Sequence, residues 1–138
     1  IVFMGTPEFS IPTLKSLMKS DHEILAVYTQ PPSKANRGQK TIPSRVEVFA
    51  KENSLILRSP SNLNTDEEYN YLKKLKPDIV IVIAYGKIIP NRLLNLPKYG
   101  FINIHASLLP KWRGAAPIQR SIMNLDNETG ISIMKIVE

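Results

Sequence analysis

The sequence predicts an α/β protein: an open, mostly parallel sheet of the doubly wound kind, with helices on both faces. Three observations carry this. Short β-branched runs alternate with amphipathic helical stretches, the run Ile79–Ala84 is apolar without alternation, and 138 residues suit a single domain, since domains usually run roughly 100–200 residues. Strand alternating with helix implies right-handed βαβ units and hence parallel neighbours.

The first run, Ile1–Gly5, reads as a strand closed by glycine, and Ser10–Ser20 follows as a helix with Ile11, Leu14, Leu17 and Met18 on one side. Ile24–Gln30 is the second strand. Pro43–Asn53 is the second helix, with Val46, Phe49 and Ala50 apolar, and Leu55–Ser59 the third strand. Thr65–Lys76 is the third helix, burying Tyr69, Leu72 and Leu75. Thr65 and Glu68 form a capping-box pattern, and Lys73, Lys74 and Lys76 crowd the last turn, where cations complement the helix dipole. Asp78–Tyr85 contains the continuous apolar run expected of a central strand covered on both faces. Phe101–Ser107 and Ile131–Val137 complete the strands.

Composition narrows the function. A 43% hydrophobic and 22% charged chain is that of an ordinary globular protein. The formal net charge of +6 favours anionic partners without demonstrating one. Absence of Cys excludes disulfides, thiolate zinc sites and a cysteine nucleophile. No apolar run approaches the ~18–20 residues of a membrane span, and the first residues read as a strand, not a signal peptide, so a soluble protein is expected. Opening inside a strand without Met, and stopping after another strand-like run, points to a piece of a longer polypeptide.

In this architecture ligands gather beyond the C-terminal strand ends. The residues there are Gly5-Thr6-Pro7, Tyr85-Gly86-Lys87 and His105-Ala106-Ser107, expected to line one cleft. The first turn lacks the Gly-x-Gly-x-x-Gly spacing of dinucleotide sites, and no Walker loop, nucleophile elbow or metal-ligand spacing is present. What remains is Asn103-Ile104-His105. Residues two apart on a strand share a face, so a carboxamide able to donate to an oxyanion and an imidazole able to carry a proton can address one atom. That pair suits acyl transfer. A hydrogen-bonded structural histidine is the competing reading and the residues alone leave the two balanced; a non-catalytic RNA-binding module would turn both side chains into packed core. His22, beside Asp21, reads as a solvated loop residue.

Gln30–Ser44 carries Lys34, Arg37 and Lys40, no acid, and Pro31, Pro32 and Pro43, and reads as a long structureless loop, either solvated or functional. The stretch Ser107-Leu108-Leu109-Pro110-Lys111-Trp112-Arg113-Gly114-Ala115-Ala116-Pro117-Ile118-Gln119 joins a strand to a helix through a string that local physics does not require.

With Asn103 and His105 just upstream, that string closely resembles the signature of the folate-dependent formyltransferases, as do Phe3–Phe9 and Ala84–Pro90. The resemblance runs through nearly the whole chain, and the Trp-Arg-Gly-Ala-Ala-Pro-Ile-Gln continuation is similar to the branch acting on methionyl-tRNA. It implies a Rossmann-like formyltransferase fold and transfer of a formyl group from 10-formyltetrahydrofolate, without a metal, to the α-amino group of initiator methionyl-tRNA for translation initiation. An amino-sugar or other folate-dependent N-formyltransferase is the alternative.

By the same resemblance Asn103 and His105 are catalytic, the third member being an Asp expected shortly after Glu138; Asp126 does not match the motif. Ser107, Leu108, Leu109 and Pro110 are expected to contact the folate, with Tyr85, Gly86 and Ile88 as a pocket wall. Lys34, Arg37 and Lys40 are expected to meet the tRNA. The implied setting is a monomer in a bacterial cytoplasm, or a mitochondrion. Residues 1–138 are then an incomplete N-terminal domain, little active alone, with an RNA-binding β-barrel elsewhere in the polypeptide.

Overall fold

The computed structural model describes residues 1–35 and 40–138. Its strands β1 (Val2–Gly5), β2 (Ala26–Tyr28), β5 (Leu57–Arg58), β6 (Val80–Ile83), β7 (Phe101–His105) and β8 (Ser132–Ile136) form one sheet in the order β5-β2-β1-β6-β7-β8. All neighbours are parallel except β8, which runs antiparallel to β7 and pairs Asn103 with Met134 and His105 with Ser132. The chain winds outward from β1 to β2 and β5, then crosses to β6. The strand order therefore reverses between β1 and β6, the place where open α/β sheets leave a crevice.

Alternation along the strands builds two cores. Phe3, Val27 and Ile83 face α1 (Ile11–Lys19) and α2 (Arg45–Glu52), where Leu14, Val46 and Ala50 are buried. Val2, Met4, Val80, Val82 and Phe101 face α3 (Asp66–Leu75) and α4 (Asn91–Leu94), with Leu72, Leu93 and Leu94. Helices thus cover both faces, as the sequence pattern requires. A 3-10 turn, Glu8–Ser10, leads into α1, and α5 (Pro117–Met123) precedes β8. Gly5 is required by close approach: a Cβ there would lie 2.8 Å from Cβ of Ser10, whose hydroxyl donates to the Ile83 carbonyl.

Two sequence expectations need correction. The segment read as a structureless loop contains strands β3 (Ser33–Ala35) and β4 (Lys40–Ile42), paired antiparallel with Lys34 opposite Thr41. Its polar residues gave no apolar alternation to mark them as strands. The capping box of α3 is half formed. Thr65 Oγ1 accepts from the Glu68 amide at 3.2 Å, but the Glu68 carboxylate turns inward to Arg58 Nε at 3.0 Å and the Tyr28 hydroxyl at 2.9 Å. A guanidinium on neighbouring β5 outcompetes a main-chain amide for an ionised carboxylate. Among the described residues no helix is long and apolar enough to cross a membrane.

Candidate functional site

The three predicted loops meet in one cavity of about 870 Å³ at the C-terminal strand ends. Pro7 and Phe9 bound it after β1, Ala84–Ile89 after β6, and Asn103–His105 on β7 with Ala106 just beyond; Gly114–Gln119, leading into α5, and Ile136 close the remaining sides. The lining is mainly apolar with few polar groups, and its size suits a flat organic ligand.

Asn103 and His105 both reach this space. They share the sheet face of Phe101, whose ring packs in the core against α3 and α4, so β7 carries a core residue at its start and two polar groups where the helical cover ends. Neither is fully buried. Among the described residues the Asn103 carboxamide has no hydrogen-bond partner, while His105 Nε2 lies 2.9 Å from the Trp112 carbonyl. Placement in packed core, which a non-catalytic module requires, is not what β7 provides.

The loop after β6 begins with a sharp change of direction. Ala84 takes a left-handed φ of 46°, which breaks the strand's alternation and turns Tyr85 to the same side as Val80 and Val82. Tyr85 is 1% exposed, within the α3-side core. Tyr85 is among the residues that line the cavity, with its side chain packed among the α3-side core residues. Burial, and secondarily the charge of Glu68, raises the Tyr85 phenol above its ordinary pKa.

The Tyr85 carbonyl accepts from Thr6 Oγ1 at 2.8 Å and Gln30 Nε2 at 3.0 Å. Gly86 follows at φ 80°, where a Cβ would come within 2.1 Å of Gln30 Nε2. Ile88, 92% exposed, stands at the cavity mouth. Lys87 turns away to the carbonyls of Pro60 and Ser61.

Ser107, Leu108, Leu109 and Pro110 are not among the cavity residues. Ser107 is buried, its hydroxyl donating to the Lys111 carbonyl at 2.7 Å. Ser132 Oγ donates to the Ser107 carbonyl at 2.7 Å and accepts from the Leu109 amide at 3.0 Å. The stretch thus braces the chain that follows His105. Lys34 and Lys40 are exposed and fall on opposite faces of the β3–β4 ribbon, since Lys34 pairs with Thr41 and Lys40 with Ala35. Arg37 lies outside the described residues. Sequence reasoning placed Thr6 at the cleft but missed its bond, and that of Gln30, to the Tyr85 carbonyl, and missed the Trp112 carbonyl; contacts with main-chain oxygens are not announced by residue type. Among the described residues no cluster of three or more His, Asp or Glu could hold a metal ion.

The chain is 64% identical over 139 residues to methionyl-tRNA formyltransferase of Pelagibacter ubique, covering 100% of this chain and 45% of that protein. It is 52% identical over 136 residues to methionyl-tRNA formyltransferase of Methylococcus capsulatus, covering 99% of this chain and 44% of that one. The chain thus spans less than half the length of these relatives. Among solved structures, phosphoribosylglycinamide formyltransferase from Bacillus halodurans superposes with a TM-score of 0.76 at 20% identity, over 99% of this chain and 71% of that one, a likeness of fold. The model of the formyl transferase family matches residues 1–138. With the same open sheet and a polar pair at the C-terminal end of β7, this chain belongs to the formyl transferase family.

Proposed function

We propose that this chain carries the formyl-transfer site of a methionyl-tRNA formyltransferase, moving a formyl group from 10-formyltetrahydrofolate to the α-amino group of methionyl-tRNA. The observation that carries the reading is the pair Asn103 and His105 on one face of β7, lining an 870 Å³ apolar cavity. A pterin fits such a lining: exposed Ile88 and Phe9 and half-buried Ile118 supply apolar contact, and the loop around Gly86 supplies backbone groups.

The folate, when bound, supplies the formyl carbon on its N10. Asn103 donates its amide N–H to the oxygen of that carbon as the amine nitrogen bonds to it and the carbonyl electron pair moves onto oxygen. His105 takes the proton shed by the attacking nitrogen and returns it to N10, which leaves with the electron pair of the broken C–N bond. No covalent bond to the protein is needed, because an α-amino group with a pKa near ~7.7–8.0 is already partly neutral at cellular pH. The exposed Lys34 and Lys40, with Arg37, supply cations for tRNA phosphates. Translation initiation in a bacterial cytoplasm is the corresponding setting.

The test is an acceptor comparison. The natural polypeptide that carries these residues, given 10-formyltetrahydrofolate, should formylate methionyl-tRNA; preferential formylation of an amino-sugar nucleotide would replace the acceptor assignment.

A further inference from the structure

A carbonyl oxygen has lone pairs and no proton. His105 Nε2, 2.9 Å from the Trp112 carbonyl, must therefore hold the imidazole hydrogen, and in the neutral ring the lone pair is left on Nδ1. The contact depends on an unusual backbone. Trp112 has φ 56°, a left-handed conformation that a residue with a side chain keeps only when its surroundings hold it there.

The holding group is Asp126. The Trp112 indole N–H donates to Asp126 Oδ2 at 2.6 Å. Asn124 Nδ2 donates to Oδ1 at 2.7 Å, and Lys111 Nζ lies 3.4 Å from the same oxygen. The Asp126 side chain is 7% exposed. The Trp112 bond, then that of Asn124, holds this carboxyl below the usual carboxylate range, so it is ionised at neutral pH. Neither Asp126 nor Trp112 lines the cavity, and direct contact with a ligand there does not account for the arrangement.

We propose that Asp126 is a positioning residue: by clasping the Trp112 indole it keeps the Trp112 carbonyl on His105 Nε2, fixing the tautomer whose Nδ1 lone pair accepts the proton of the attacking amine. The inference rests on His105 as proton carrier, and its test separates the two. In the natural polypeptide that carries these residues, labelled with ¹⁵N-histidine, long-range proton–nitrogen spectra at alkaline pH should show His105 in the Nε2–H form alone.

Asp126→Ala and Trp112→Phe should each bring in the Nδ1–H form. Asp126→Asn, whose carboxamide oxygen still accepts from the indole, should restore the single form and serve as the folding control. In the natural polypeptide the first two variants should lose at least about tenfold in kcat, a part of the ~10²–10⁴ that a positioned proton carrier contributes, with the KM for folate unchanged. The double variant should be no slower than either single one. An unaltered tautomer in both Asp126→Ala and Trp112→Phe overturns the clasp. A shifted tautomer with unchanged kcat overturns His105 as the proton carrier, and the proposal with it.

Discussion

Tyr85 illustrates how one backbone angle reassigns a side chain. The left-handed Ala84 turns the phenol into the core, where its hydroxyl finds no hydrogen-bond partner among the described residues. A buried, unsatisfied hydroxyl costs about 1–3 kcal/mol. Tyr85→Phe should therefore leave stability unchanged or raise it by up to ~1 kcal/mol, read as the urea midpoint at constant slope. A loss of more than 1 kcal/mol would mean that the hydroxyl has a partner. Positive φ at a non-glycine residue leaves no mark in a sequence, so the residue was legible as part of the cleft loop and its direction was not. Asn103 and His105 were legible because strand periodicity alone places both on one side. Trp112 and Asp126 were not, since a contact running through a carbonyl and closing across residues 112–126 has no local pattern.

At the level of elements, α3 is tied to the sheet edge through Glu68. Glu68 is buried, and its carboxylate joins Arg58 on β5 and Tyr28 on β2. Arg58 also stacks on Tyr71 at 4.0 Å. The bond to Glu68, before any other cause, raises the Arg58 guanidinium above its ordinary pKa, so it stays charged. Removing Glu68 takes the acceptor from the buried Tyr28 hydroxyl, at about 1–3 kcal/mol, and one of two carboxylates from Arg58, which keeps Glu67 at 3.1 Å. Glu68→Ala should cost about 3 kcal/mol in denaturant unfolding, well above the ~1 kcal/mol of a lost capping residue. A cost near the capping value would show that α3 does not depend on this inward pair. Helices α1, α2 and α3 were readable from their 3.6-residue periodicity, and β6 from its continuous apolar run, whereas the single turn of α4 carries too few residues to show a period. The β3–β4 ribbon was not, because strands paired only with each other bury no apolar face.

Across the whole molecule, the switch between β1 and β6 gathers three loops that are far apart in sequence, and this was the most legible feature because topology alone fixes it. The paired action of Asn103 and His105 is tested most directly by single-turnover formyl transfer to methionyl-tRNA in the natural polypeptide, with folate affinity measured in parallel. Asn103→Ala should slow transfer by about 10²–10³ and His105→Ala by about 10²–10⁴, each with folate affinity nearly unchanged. Transfer at the unmodified rate in either variant would contradict the account.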